Sequence, residues 1–525
     1  MNIATILQER AATHPEIPAI IDTHRGRSRT TTFAGLETAA GRAATLLRQN
    51  GLQPGDSALI FHPMSAELYI ALAALFRLGV VAMFLDPGAG ADHIERCCAL
   101  YPPKALIAST KAHLLRLKSP ALRQIPVKIA IGCPVPGAIS WRSAQQMKPG
   151  THIIPRTPDT PALLTFTSGS TGQPKAALRT HGFLLAQHRI LAETLQLKPA
   201  EIDLATLPIF LLANLASGLT SLIPNADLRF PGAIRAGAAI AQIQAIQPVR
   251  AAASPAFLER LAEYCLTRRL TLPSLQKIFC GGAPVMPNLL AQLQQIAPNA
   301  EITVVYGSTE AEPIAHISHS QIGSRDTTAT LSGKGLLVGH PVSAIKIAIL
   351  RQQWGTPIGP LTGSEFAENC LSAGAVGEIA VSGEHVLPGY LYGYGDRETK
   401  FTADGTPWHR TGDAGYLDSD NRLWLMGRCS ARIEDSWGTL YPFAVECVAH
   451  HYPGIRRCAA ISHKGQRILA VELNRHKTHV SLAALQNTLN WAHISAIKVL
   501  PKIPTDKRHN AKIEYPPLRK LLARH

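Results

Sequence analysis

Thr167-Ser168-Gly169-Ser170-Thr171-Gly172-Gln173-Pro174-Lys175 is the stretch on which the reading of this chain turns. Ahead of it, Ala162-Leu163-Leu164-Thr165-Phe166 has the length and apolarity of a buried strand. Behind it come Ala176-Ala177-Leu178 and an apolar-periodic segment from about His181. A loop of glycines, hydroxyls and one lysine presents backbone N–H groups, side-chain donors and a cation together, which suits a polyphosphate. It is not a Walker loop, because Gln173 and Pro174 separate the last glycine from Lys175, where that motif needs Gly-Lys-Ser/Thr. A flexible Ser/Gly hairpin loop is the plainer alternative, and the strand ahead and the Pro-Lys ending count against it.

Outward from the loop, the pattern alternates strand and helix. Ile3 to Ala12 has the spacing of an amphipathic helix, Ala19 to Ile21 of a strand, and Thr32 is a candidate N-cap for the helix that follows. Ser57 to Phe61 and Val80 to Leu85 read as strands around a helix from Ser65 to Leu78. On the other side, Asp203 to Leu207, Leu275 to Cys280 and Glu301 to Val305 read as strands. Each ends in a loop with binding potential, as open α/β sheets do at their carboxyl edge. After about Gly335 short strands, turns and glycines suggest a β-rich subdomain, and a second break near Gly427-Arg428 leaves a small α+β segment. The expected organisation is an α/β fold. Residues 1–427 would form the large N-terminal domain of α/β layers with its β-rich subdomain, and residues 428–525 a small mobile C-terminal domain.

A chain of 525 residues has room for two or more domains, and 46% hydrophobic with 17% charged residues excludes a disordered protein. The net charge of +16 favours anionic ligands without choosing among nucleotides, acyl acids, nucleic acid or lipid. No dense Lys/Arg run, zinc spacing or RNA-binding signature supports nucleic acid. Nine cysteines, an odd number with no C-x-x-C pair, read as free thiols in a reducing cytoplasm. The N-terminus lacks the basic region and apolar core of a secretory signal. The most apolar stretch, Leu68 to Leu85, contains Arg77 and reads as a buried helix–strand pair, not a transmembrane span. Peripheral contact with a membrane stays open.

Three further motifs carry chemistry. In Tyr306-Gly307-Ser308-Thr309-Glu310 the carboxylate of Glu310 can hold Mg²⁺, and Tyr306 offers an aromatic face to a purine. In His409-Arg410-Thr411-Gly412-Asp413-Ala414-Gly415-Tyr416, Asp413 can accept bonds from both hydroxyls of a ribose; an ordinary β-turn aspartate is the competing reading. Pro504-Thr505-Asp506-Lys507-Arg508-His509-Asn510-Ala511-Lys512 is a basic segment that, alone, would pass for a solvated tail.

Together these motifs, over nearly the whole chain, resemble the adenylate-forming superfamily, which includes acyl-CoA synthetases, peptide-synthetase adenylation domains and luciferases. The resemblance implies an ATP- and Mg²⁺-dependent ligase that makes an acyl-AMP from a small carboxylic acid and releases pyrophosphate. It implies that Thr167, Ser168, Gly169, Ser170, Thr171, Gly172 and Lys175 hold phosphates, and that Gly282, Ala283, Pro284, Tyr306 and Gly307 lie on the adenine side. It gives Glu310 and Thr309 the magnesium end, Asp413 the ribose, and Arg428 the ribose or a phosphate. It implies that Lys512 closes over the site and neutralises the transferring phosphate. No Ser-His-Asp set or Gly-x-Ser-x-Gly elbow points to a hydrolase.

Departures from the common pattern narrow the branch. Leu211 stands where many acyl-CoA synthetases have His, Ser430 at the usual hinge, and Ser436-Trp437 where a glycine pair is usual. Together with Leu207 to Gly218, Leu272 to Pro284, Gly427 to Glu446 and Arg508 to Ile513, they resemble the β-lactone synthetases of bacterial long-chain olefin biosynthesis. Glu312-Pro313 after Ala311 differs from that branch. The branch implies a 3-hydroxy acid whose own hydroxyl closes the ring, so that no thioester is needed, and it places the protein in fatty acid metabolism beside other enzymes of a hydrocarbon or lipid pathway. His181 is a candidate base for that hydroxyl, with a helix-start residue as the commoner explanation. Leu211, Leu212, Leu215 and Leu219 are candidates for an alkyl tunnel or for helix core. Two alternatives remain: an AMP-forming fatty acyl-CoA or acyl-carrier ligase, and a non-catalytic acyl- or nucleotide-binding protein.

Overall fold

A computed structural model describes residues 2–86, 88, 90–167, 174–452, 454–474, 480–505 and 513–523. The chain divides into two compact units, Met1–Leu228 with Leu387–Asp396, and Arg229–Val386 with Arg397–His525.

The first unit is built on a seven-stranded sheet. Its order is Ile139–Ser140, Val127–Ile131, Ala105–Ser109, Ser57–Phe61, Val81–Phe84, Pro161–Thr167, Lys175–Thr180. All neighbours are parallel except the last pair, an antiparallel hairpin in which Thr167 faces Lys175. Buried runs such as Ser57–Phe61, with every residue inside, fit a sheet covered on both faces. Helix Ala66–Leu78 covers one face and ends at Gly79 in the left-handed region, φ +64°. This is the expected helix–strand pair, and Arg77 within it is buried against the carboxylate of Glu37 and the Gly150 carbonyl. No helix among the described residues is long and apolar enough to cross a membrane. A second group in this unit pairs Ile202–Ala205, Thr220–Leu222 and Pro18–His24 in parallel, with Arg27–Thr32 antiparallel at its edge.

In the second unit, Arg250–Ala253, Lys277–Gly281 and Glu301–Ser308 run parallel. The order then continues antiparallel through Ala311–Ser318, Leu336–Pro341, Leu423–Arg428, Thr406–Leu417, Gly377–Ser382 and Lys346–Leu350. Pairing changes from parallel to antiparallel at Ala311, ahead of the change of texture expected near Gly335. One expectation is corrected: the strand begun at Glu301 runs past Val305 to Ser308. Tyr306 is a ladder residue opposite Ala315, Gly307 lies at an irregularity in the register, and only Thr309-Glu310 turns before Ala311. Further along lie a hairpin, Ile433–Asp435 with Gly438–Leu440, and a three-stranded sheet of Ile455–His463, Gln466–Leu473 and Ala496–Val499.

Candidate active site

In the second unit, three strands bring four of the expected residues to one place. Strands Thr406–Leu417 and Leu423–Arg428 pair so that Asp413 faces Arg428. Flanking glycines make this possible: Gly412 at φ +71° and Gly427 at φ +114° adopt backbone that L side chains avoid. The Arg428 Nε lies 3.2 Å from Asp413 Oδ1, and Arg428 Nη1 donates to the Thr411 carbonyl at 3.1 Å. From strand Glu301–Ser308, which is not a neighbour of either in the sheet, the Tyr306 hydroxyl donates to Asp413 Oδ2 at 2.8 Å. Burial and the adjacent Asp413 carboxylate hold the Tyr306 phenol well above its ordinary pKa, so it stays a donor. Arg428 is raised in turn, first by Asp413 and also by the fields of Tyr306 and Glu310. Tyr306, Glu310, Asp413 and Arg428 thus form one electrostatic cluster.

Gly282, Ala283 and Pro284 leave the adjacent strand Lys277–Gly281, whose last residue pairs with Val305. Gly281 is required there, since a Cβ would stand 2.6 Å from the Val305 carbonyl oxygen. Gly307 is crowded as well, its Cβ position lying 3.1 Å from the Ala311 carbonyl oxygen. Thr309 and Glu310 make the tight turn that follows, with the Glu310 N–H donating to Ser308 Oγ at 3.3 Å. Among the described residues no three His, Cys, Asp or Glu side chains gather as a metal cage.

In the first unit, Lys175 opens the second strand of the hairpin. Its ammonium lies 5.6 Å from the centre of the Tyr390 ring. Its side chain runs against Gly395, where a Cβ would meet Lys175 Cδ and Cε at 2.7 Å and where φ is +104°. Neither Tyr390 nor Gly395 carries a sequence signal of its own; both lie more than 200 positions from Lys175, and folding alone makes them neighbours. The backbone of Thr167 faces Lys175 across the hairpin. Ser168, Gly169, Ser170, Thr171, Gly172 and Lys512 lie outside the described residues.

The remaining candidates separate. His181 is fully buried, its Nδ1 accepting the Ile3 N–H at 3.3 Å, and burial lowers its pKa to about 4. It ties down the N-terminal segment, so the structure corrects its candidacy as a base. Leu211 and Leu219 are core residues, fully buried. Leu212 and Leu215 instead line an apolar cavity between helices Ala4–Thr13, Ala66–Leu78, His181–Thr194 and Pro208–Ser217. The cavity holds about 70 Å³, room for about two waters and hence for two or three methylenes, about 30 Å³ each. Its polar edge is His188, whose Nε2 is 2.8 Å from Ser217 Oγ. Asn214, on the same helix, donates to Asp203 Oδ2 at 2.7 Å and thereby anchors the helix to strand Ile202–Ala205. Ser430 is exposed in the short turn Cys429–Ala431. Trp437, exposed at the hairpin tip, stacks on His493 with ring centres 4.0 Å apart.

Residues 7–391 match the family model of the AMP-binding enzymes. An olefin β-lactone synthetase of Xanthomonas campestris is 30% identical over 510 residues, covering 92% of this chain and 89% of its own. One from Stenotrophomonas maltophilia is 30% identical over 546 residues, covering 98% and 96%. Among solved structures, an anthranilate CoA ligase in complex with anthranoyl-AMP superposes with a TM-score of 0.83 at 16% identity, covering 100% of this chain and 98% of that one.

Proposed function

The chain belongs to the AMP-binding, adenylate-forming enzymes, and from that we propose that it activates a long-chain 3-hydroxy acid as its acyl-AMP and closes it to a β-lactone. The observation that carries the reading is the match to olefin β-lactone synthetases at 30% identity over nearly the whole of both chains. In the first step the carboxylate oxygen attacks the α-phosphorus of ATP, the bond to the bridging oxygen breaks, and pyrophosphate leaves. In the second, the 3-hydroxyl oxygen attacks the acyl carbonyl carbon, the carbon–oxygen bond to AMP breaks, and the hydroxyl proton passes to solvent as AMP leaves. A ring closed by the substrate on itself needs positioning more than an added nucleophile.

Residue roles follow the same reading. The 167–175 segment, with Thr167, Ser168, Gly169, Ser170, Thr171, Gly172 and Lys175, holds the phosphates. Tyr306, Gly307 and Gly282-Ala283-Pro284 flank the adenine. Asp413 receives the ribose hydroxyls, and Arg428, paired with it, contacts the ribose or a phosphate. Residues 428–525 act as the small domain that supplies Lys512. Magnesium fits the donor set: Glu310 offers one carboxylate on an open turn, and Mg²⁺ takes its other ligands from phosphate oxygens and water. Bound there with Thr309 beside it, the ion would neutralise phosphate charge. A few methylenes of the alkyl chain are assigned to the cavity lined by Leu212 and Leu215. Dependence on ATP, and cysteines read as free thiols, support a reaction in the cytoplasm.

The test is incubation with ATP, Mg²⁺ and a racemic long-chain 3-hydroxy acid, with and without CoA. Lactone and AMP in equal amounts without CoA are expected. Strict CoA dependence with a thioester product would overturn the reading.

A further inference from the structure

The sixteen-unit excess of positive charge is unevenly placed. Residues 96–158 contain ten Lys and Arg and no Asp or Glu. Within them lies the short 3-10 helix Ala112–Leu117, over the edge of the seven-stranded sheet. A 3-10 helix has three residues per turn, so positions 111, 114 and 117 share one face. That face is Lys111, Leu114 and Leu117, and the two leucines are 64% and 74% exposed, Leu117 being the most exposed of the large hydrophobic side chains among the described residues. The other faces are held inward. The His113 ring Nε2 lies 3.1 Å from the Ile129 carbonyl oxygen, and Leu115 packs on the core. The leucines are therefore presented by an anchored turn.

Cations surround them. Lys118 and Arg123 are exposed just beyond, and Arg116 and Lys128 lie close by: after burial, both cations hold the His113 pKa down, and Arg116 does the same to Lys128. The carboxylate packed against this segment, Glu95, is committed to the Ser119 hydroxyl and the Ala121 N–H. It caps helix Pro120–Gln124 and does not neutralise the exposed lysines.

We propose that Lys111, Leu114, Leu117, Lys118 and Arg123 form a docking surface for an anionic lipid bilayer. Paired aliphatic tips among flexible cations are what such an interface accepts: the leucines enter the headgroup–acyl boundary while the cations remain among phosphates. Nucleic acid would use the charge but gives no return for exposed leucine, because its contacts are phosphate bonds and aromatic stacking. The proposal goes beyond the catalytic reading and does not depend on it.

The experiment is flotation of the full-length protein on vesicles of phosphatidylcholine alone or mixed with phosphatidylglycerol. Flotation is expected only with phosphatidylglycerol, and is lost at high salt. Each lysine or arginine contributes roughly five-fold in partitioning, so Lys111→Gln/Lys118→Gln/Arg123→Gln should weaken it about a hundredfold. Leu114→Ser/Leu117→Ser should weaken it by a similar factor, about tenfold per leucine. Both variants change exposed side chains, and unchanged thermal melting shows that they fold. Absence of flotation on anionic vesicles would overturn the proposal. So would flotation that both variants retain, or capture of a single-stranded RNA by a protein that does not float.

Discussion

At the scale of single residues, the site rests on side chains whose roles depend on a partner. Asp413 is held between the Tyr306 hydroxyl and Arg428, which fixes its two oxygens. Asp413→Asn removes the charge and weakens any bonds to a ribose. The expected result is a rise of about tenfold to a hundredfold in KM for ATP, measured by ATP–pyrophosphate exchange; an unchanged KM would remove Asp413 from the nucleotide site. Gly395 is a different case. A Cβ there would be strained at φ +104° and would push into Lys175. Gly395→Ala is expected to raise KM for ATP about tenfold, with little effect on the KM for the acid. Equal effects on both would mean that the glycine serves the fold and not Lys175. Asp413, Tyr306 and Lys175 were legible as motif residues. Gly395 and Tyr390 were not, because nothing in a sequence reports a contact made across the fold.

Elements carry two further predictions. Helix Pro208–Ser217 divides its apolar residues between the core, with Leu211, and the cavity, with Leu212, Ala213 and Leu215. Periodicity identified the apolar residues but could not say which side faced free space. Ala213→Phe fills the cavity, and the preferred acyl chain is expected to shorten when kcat/KM is measured over a series of 3-hydroxy acids. A uniform loss at all lengths would remove the chain from this cavity. Helix Pro442–His450 carries Glu446, buried, with a carboxyl oxygen accepting the Ala460 N–H at 3.0 Å. Burial pushes its pKa up to about 8, against about 4.3 for an unfolded glutamate. Between those values the folded protein keeps a proton that the unfolded chain has released. The stability this group allows is therefore full below about pH 4, falls as pH rises to about 8, and is then constant. Glu446→Gln keeps an acceptor and abolishes the titration. Its melting temperature relative to the parent should rise steadily from pH 5 to pH 8 and level off above that; a difference independent of pH would show the carboxyl to be solvated.

At the scale of the whole molecule, the proposed chemistry draws on residues far apart in the chain. Lys512 lies 337 positions beyond Lys175. Lys512→Ala is expected to lower acyl-AMP formation by about 10²–10³-fold, the cost of one lost electrostatic donor, with thermal melting unchanged. A loss confined to lactone release would instead put Lys512 in the second step. The α/β alternation was legible because buried parallel strands and their covering helices write distinct patterns along the chain. The hairpin that pairs Lys175–Thr180 back on Pro161–Thr167 was not, since antiparallel return depends on a partner strand and not on its own composition.

By itself the sequence determined the reaction class. Adenylation needs particular residue types at short spacings, in Thr167 to Lys175, Tyr306 to Glu310 and His409 to Tyr416, and short spacings survive in one dimension. Only the tertiary structure decided that Asp413, Tyr306 and Arg428 share one charge cluster, that His181 is spent on anchoring the N-terminus, and that Leu212 and not Leu211 faces a cavity. Those outcomes depend on which surfaces meet, and burial, field strength and free volume exist only after the chain has packed.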